Sequence, residues 1–590
     1  MSEKENGKKI LKRMFHRSIR LNFSGSFAVM INTVADGMII SHFLGSRSAG
    51  AFGLVLPFLA LIGLFGILLR TAAASGAGKC AGRGDTYGAG RLLYLLLCSA
   101  CAVSLPLMAL CTFFREFTLT AMQAGAGHSA EILSDASAYL LGLFPAMPAL
   151  MTLSVLHPIM QIDGDGGRSP RAVTVGTAVN ILGDIASACL LHSGMGGMAA
   201  ATTLSCWAEC IVLLLHFRRE NALLRPRRPH SGPASFKYLA DSLRSASPVV
   251  PGQLTAFISG ILLNRLAIQL AGVEALTVLG IGNSLWPILL AAATAVSSTC
   301  MLLGSICHGE NDSRALNFTM RLGIWYALVP CSAYALLFFM AAGPMAAFCA
   351  GPEEAIVSMS SLYLRCLAVS LPFTVFSQLI VSFLVVTSQT LPAMAAAVLD
   401  GGAMILLFSA LLGKIAGQAG FWPGRTAGAL AAALCAFALA CFRGFLHDPA
   451  PDGTLEDTTI YSMKEAVQIS EKVRLLLRSC GFTGRVSSAA ALCIEEFSAH
   501  ILEWGYRNEV VYGADLRVCC RDGILTLRFR DDGRPFDLEH HAEKFAADPE
   551  DPAANAGLRI ISGMASELRY INLAGANVLL IRIDGDRHAV

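Results

Sequence analysis

Four polar residues stand inside stretches that are otherwise apolar: Asp36, Asn180, Asp184 and Thr202. An acid at the centre of a membrane-spanning helix costs about 2.5–3.5 kcal/mol on insertion scales, so its presence there points to function by default. Asn180 precedes Asp184 by four residues, which puts both on one helix face. Two carboxylates, an amide oxygen and a hydroxyl form a hard-oxygen set suited to Na⁺. The same set would carry a proton if burial disfavoured the charged form of one acid. The competing reading is that the acids only hydrogen-bond within a helical bundle.

Three further charges fall in apolar runs. Arg70 is expected to snorkel from the end of its helix. Asp400 and Arg265 are expected either to line a cavity or to pair with each other.

The elements that carry these residues are membrane helices. Apolar residues make up 54% of the 590 and charged residues only 15%. Soluble domains run near a quarter charged, so the deficit points to lipid. The apolar stretch covers residues 22–442, and residues 448–590 read as a soluble domain. Runs of about 20 apolar residues, the length a bilayer requires, centre near residues 33, 64, 102, 148, 181, 207, 259, 291, 331, 373, 402 and 432. Twelve spans are therefore expected. The boundaries are a basic N-terminus over 1–20, an N-lobe over 21–217, a basic loop over 218–245, a C-lobe over 246–442, a linker over 443–456 and a soluble domain over 457–590. Lys4, Lys8, Lys9, Lys12, Arg13, Arg17 and Arg20 precede the first span, and Arg218, Arg219, Arg225, Arg227, Arg228, Lys237 and Arg244 lie between the sixth and seventh. By the positive-inside rule both termini and the central loop are cytoplasmic. The 18 cysteines form no spaced framework and read as free thiols. A net charge of +3 without a basic stripe excludes nucleic acid as a partner.

The two lobes repeat. Gly45, Gly53, Gly82-x-x-Asp85 and Gly197 recur as Gly272, Gly280, Gly309-x-x-Asp312 and Gly424, at one offset of 227 residues. Six spans per half make the repeats parallel, related by an axis along the membrane normal. Adding the offset to the polar tetrad gives Leu263, Leu407, Leu411 and Ala429, so the acids belong to the first lobe alone.

The pattern Asp36-Gly37 with Phe43-Leu44-Gly45, Asp163-Gly164, Asn180-Ile181-Leu182-Gly183-Asp184 and the run from Gly197 to Thr202 resembles the MATE exporters (multidrug and toxic compound extrusion) over roughly residues 15–445. The resemblance implies that Asp36, Asn180, Asp184 and Thr202 form an N-lobe cation site. It implies secondary export of small amphiphilic or cationic compounds in exchange for Na⁺ or H⁺.

In the soluble segment, helical periodicity covers 464–478 and 486–504, and strands are expected at 514–520, 524–530, 567–572 and 578–583 with a helix over 557–566. A two-layer α/β sandwich follows. Glu496 and His500 on one helix, Asp531-Asp532-Gly533-Arg534-Pro535 after a strand, and Gly557-Leu558-Arg559-Ile560-Ile561 resemble the ATPase domain of histidine kinases and anti-sigma-factor serine kinases. The resemblance implies ATP with Mg²⁺. Glu496 would be the general base, Asp531 and Gly533 the adenine contacts, and Gly557 a phosphate contact. His500 stands where that family has a metal-binding asparagine, and neutral imidazole is a poor ligand for Mg²⁺. Nucleotide binding that regulates, through ATP or a cytoplasmic protein partner, is therefore expected ahead of phosphoryl transfer. Two other readings remain: a membrane sensor signalling through a kinase domain, and a flippase of lipid-linked precursors, which would show several intramembrane basic residues.

Overall fold

The computed structural model describes all residues except 1–8, 124–129, 220–221, 223, 229–232, 273, 351–352, 446–452, 507–512, 522, 535–560, 562 and 585–590. Residues 9–441 are almost entirely helical. The first half comprises α1 (Lys9–Ile39), α2 (Gly45–Gly82), α3 (Thr86–Gln123), α4 (Ala130–Leu143), α5 (Met147–Ile162), α6 (Arg168–Ile185) and α7 (Gly194–Leu214). After α8 (Pro233–Ala246), the second comprises α9 (Val249–Ala271), α10 (Glu274–Gly309), α11 (Ser313–Leu328), α12 (Pro330–Ala350), α13 (Glu354–Val386), α14 (Thr390–Val398), α15 (Met404–Ala416) and α16 (Gln418–Cys441). Several of these join end to end, and eleven such runs among the described residues are long and apolar enough to cross a bilayer. The 38-residue α2 is a further apolar helix of the same bundle.

The 227-residue offset has a structural counterpart. Gly45 and Gly272 end their helices with nearly the same backbone, φ/ψ of 84°/177° and 77°/−177°, a region that favours glycine. A Cβ on Gly82 would collide with the carbonyl of Ile306, and one on Gly309 with the carbonyl of Lys79. Residues 79 and 306 are themselves one offset apart, so α2 and α10 cross reciprocally about a pseudo-twofold axis. Asp85 and Asp312 then cap the next helices alike, accepting from the backbone N–H of Gly88 at 2.7 Å and of Ala315 at 2.9 Å.

At this same end the lobes are tied by a buried polar chain. Asn22 of α1 accepts from Gln161 of α5 at 2.7 Å and donates to Thr299 of α10 at 2.9 Å. The Lys79 ammonium donates to Ser388 at 2.8 Å.

Residues 454–584 contain a five-stranded antiparallel sheet in the order β1-β2-β3-β5-β4, with β1 Thr454–Ile460, β2 Ala514–Arg521, β3 Ile524–Asp531, β4 Glu567–Leu573 and β5 Ala576–Asp584. The first strand begins inside the segment 443–456 expected as a linker, so the sheet domain starts a few residues earlier than that boundary. The helices α17 (Met463–Ser479) and α18 (Gly484–His500) pack on one face, where Leu516, Val518, Leu527 and Phe529 meet Val473, Ile494 and Phe497. Much of the helix expected over 557–566 lies outside the described residues.

Side chains alternate across a strand, so Arg517, Arg528 and Arg530 occupy the opposite face. Arg517 and Arg528 are direct cross-strand partners, a like-charge pairing that destabilises unless acids intervene. The acids come from the helical bundle. Arg528 meets Glu310 at 2.5 Å and Asp312 at 2.9 Å, Arg530 meets Glu310 at 2.5 Å, and Arg517 meets Asp312 at 3.3 Å. Burial pushes the Asp312 carboxyl up, but Arg528 and Arg517 outweigh it and hold the group at about 2. The same sheet also reaches the first half of the bundle. Arg569 and Arg582 donate to the carbonyls of Gly84 and Arg83. The N–H of Ala574 donates to the carbonyl of Ile162 at 3.1 Å, and Arg17 donates to Gly575 at 3.3 Å. One domain thus grips the loops of both lobes at the end where they cross.

Candidate functional site

Three members of the polar tetrad converge. The amide nitrogen of Asn180 donates to Asp36 Oδ1 at 2.7 Å and to Asp184 Oδ2 at 2.9 Å, bridging α1 and α6. Asn180 and Asp184 are fully buried, as their common face of α6 requires. Among the described residues Oδ1 of Asp184 has no hydrogen-bond partner. A buried carboxylate oxygen left unsatisfied costs about 1–3 kcal/mol or more, so the site holds acceptor capacity that a cation or proton would satisfy. Thr202 on α7 returns its hydroxyl to the carbonyl of Met198 at 3.3 Å and touches the cluster through Tyr139.

Two contributors carry no spacing signal. Ser205 donates to the amide oxygen of Asn180 at 3.2 Å, fixing which end of the amide faces the acids. Tyr139 of α4, 3% exposed, hydrogen-bonds Thr202 and lies within electrostatic reach of both carboxylates. One turn along the α6–α7 interface, Glu209 pairs with His157 of α5 at 3.0 Å, and His157 meets Ser169 at 2.7 Å. Glu209 was findable by the rule that exposed the aspartates, since it too interrupts an apolar helix.

Among the described residues the second half has no such cluster at the offset positions. Of the offset equivalents, Leu263 and Ala429 line a cavity between the halves. Leu407 and Leu411 are 57% and 50% exposed and face outward. A π turn over Leu399–Ala403, with Gly402 at φ 114°, shifts the register of α15. Asp400 in that turn lines the cavity instead, as one expectation had it, while Arg265 is not among its lining residues and the two form no pair within 4.0 Å.

Arg70 was expected to snorkel from the end of its helix. It lies 12 residues before the end of α2, about 18 Å along the axis, and lines the cavity with Asp400 and Arg425. The cavity has a volume of about 570 Å³.

In the sheet domain, Glu496 and His500 lie one turn apart on α18, and Asp531 ends β3. Oδ1 of Asp531 accepts from the Gly533 N–H at 2.9 Å and from Asn577 at 2.8 Å, and Gly533 packs against Gly505, just beyond α18. Burial pushes the Asp531 carboxyl up to about 6, against the pull of Asn577 and Gly533. Asn577 was not foreseen as a partner. Gly557 lies outside the described residues. Among the described residues no cluster of three or more His, Cys, Asp or Glu side chains could hold a metal.

The MatE family model matches residues 23–185 and 248–407. Among solved structures, the chain is similar to an outward-facing multidrug resistance MATE family transporter of the MOP superfamily, with 20% identity, TM-score 0.67, and coverage of 74% of this chain and 97% of that one. It is similar to the bent form of the Vibrio cholerae MATE transporter VcmN, with 17% identity, TM-score 0.67, and coverage of 75% and 98%. It is also similar to a MOP superfamily transporter from Pyrococcus furiosus, with 20% identity, TM-score 0.67, and coverage of 76% and 99%. At these identities the likeness is one of fold. No curated protein matches the chain.

Proposed function

The chain belongs to the MatE family, and from that premise we propose that it exports small amphiphilic compounds in exchange for Na⁺ or H⁺ bound at Asp36, Asn180 and Asp184. Its fold is that of multidrug and toxic compound efflux transporters, a multi-pass helical bundle in a lipid bilayer. One observation carries the proposed coupling: a single amide nitrogen bridges two carboxylates in a buried site. Such an arrangement is strained by repulsion when both acids are charged, and one bound cation or proton relieves it. Tyr139, Ser205 and Thr202 surround these acids, of which Asp184 is buried and Asp36 half-buried. Binding there would draw α1 and α6 together, which couples ion occupancy to the shape of the cavity that α1 and α2 help to line.

The sheet domain is proposed to be cytoplasmic and regulatory. Because it holds loops of both lobes, its release would favour their separation at that end, the movement alternating access requires. The Arg13–Asp532 ion pair joins the helix carrying Asp36 to the residue next to Asp531, a route by which a nucleotide or a protein partner at Asp531 would act. A second reading, translocation of lipid-linked precursors, draws support from the two arginines of the cavity.

The test is drug efflux from cells with Asp36→Asn and Asp184→Asn. Each should abolish gradient-driven efflux while the protein still inserts, and Leu263→Asn should have a smaller effect on its cation dependence. Normal efflux in both aspartate variants would return those acids to a structural role.

A further inference from the structure

The cavity between the lobes carries an unbalanced charge. Its ionisable lining is Arg70 from α2, Arg425 from α16 and Asp400 from the π turn. Among the described residues neither arginine has an acid within 4.0 Å. The Arg425 guanidinium lies 4.5 Å from the centroid of the Trp286 ring, and its Nε is buried without a hydrogen-bond partner among the described residues. A guanidinium does not deprotonate in proteins. Two fixed cations against one carboxylate therefore leave the chamber positive, and charge between membrane helices is costly unless it serves a function.

We infer that the substrate is an amphiphilic organic anion, its carboxylate, sulfonate or phosphate group held between Arg70 and Arg425. Those two residues come from opposite lobes, and each presents the planar fork that pairs two-pronged with such oxyanions. Trp286 orients the Arg425 fork by cation–π contact while leaving its donors available. The remaining lining suits an apolar body: Ile67, Leu263, Leu279, Leu290 and Met301, with Asn264 and Gln378 for a few oriented hydrogen bonds. A volume of about 570 Å³ lies within the range of pockets that enclose one drug-sized molecule. This reading names the substrate class of the proposed exporter. It depends on that function for movement across the membrane but not for binding.

The experiment measures binding and movement separately on the full-length protein. Binding of carboxyfluorescein to detergent-purified protein is followed by anisotropy, with the cation ethidium as the opposed probe. Transport of both is followed in proteoliposomes, and translocation of NBD-phosphatidylglycerol is followed by dithionite quenching. Carboxyfluorescein should bind in preference to ethidium. Arg425→Gln and Arg70→Gln should each weaken it about tenfold or more, the value of a lost charge-assisted hydrogen bond, and Arg425→Lys should weaken it less. Asp400→Asn should tighten it several-fold, a gain that misfolding cannot imitate. Arginine-dependent translocation of the labelled lipid without carboxyfluorescein binding would identify a lipid headgroup as the source of the anion. Binding without movement of either probe would remove the export reading and leave the anion site standing. Preference for ethidium, or anion binding indifferent to both arginines and to Asp400→Asn, would overturn the inference.

Discussion

Replacing Arg528 by alanine should undock the sheet domain without unfolding it. The guanidinium meets Glu310 at 2.5 Å, Asp312 at 2.9 Å and Asp515 at 3.5 Å, and all four side chains are at most 5% exposed. Removing one partner of a buried ion pair costs about 3–5 kcal/mol, because a charge is left uncompensated. Arg530 still neutralises Glu310 and Arg517 still neutralises Asp312, so the lower end applies. In the undocked state water solvates both acids, and the equilibrium moves toward that state by about 100-fold, at 1.4 kcal/mol per tenfold. A single amide reports the event. The N–H of Ala574 bonds to the carbonyl of Ile162 across the interface, whereas Leu527 sits inside the sheet opposite Val518 and Ile581. Hydrogen exchange at Ala574 should accelerate about 100-fold, exchange at Leu527 should stay unchanged, and gradient-driven export should speed up. Unaltered protection at Ala574 would refute the clamp. Equal acceleration at both amides would mean domain unfolding, and would refute the claim that docking is the weaker equilibrium.

Three other outcomes follow from the same geometry. Burial pushes Asp515 up to about 7 despite Arg528 and Arg530. The folded chain therefore keeps a proton that the unfolded chain releases near pH 4, and stability should fall as pH rises from about 4 to about 7. Thermal midpoints against pH should show this slope, and Asp515→Asn should flatten it. The full chain should bind ATP or ADP weakly in calorimetric titration, with little gain from Mg²⁺. Asp531→Ala should remove that binding, and a fall below about pH 6 should weaken it as the carboxylate takes a proton; tight Mg²⁺-dependent binding with phosphotransfer would contradict the reading of His500. Membrane-impermeant labelling from outside should miss cysteines placed at 230 and 450 and reach one at 353, and labelling at 230 would reverse the proposed orientation.

The acids of the proposed cation site were legible because lipid makes every carboxylate conspicuous, and because Asn180 and Asp184 stand one turn apart. Tyr139 and Ser205 were not, since hydroxyls on apolar helices are common and nothing in their spacing marks a shared site. Arg70 reads in the sequence as a helix-end charge, whereas its helix continues 12 residues beyond it and the residue lines the cavity. The reciprocal crossing at Gly82 and Gly309 could be anticipated from a constant offset. The π turn that turns Leu407 and Leu411 outward could not, as a local insertion in helical register leaves no periodic trace. The basic face of the sheet is visible as alternate arginines at 528 and 530. Its partner is not, because Glu310 and Asp312 lie more than 200 residues away and look like an ordinary helix cap.

The most direct test of the Asp36–Asn180–Asp184 site as the coupling site is a reversal measurement in proteoliposomes. Substrate flux is recorded while an opposing Na⁺ or H⁺ gradient is stepped through zero. The wild-type protein should concentrate substrate against its own gradient and reverse direction when the ion gradient reverses. The Asp36→Asn/Asp184→Asn protein should at most equilibrate substrate, indifferent to the ion. Substrate accumulation by the double variant that still follows the ion gradient would contradict the account.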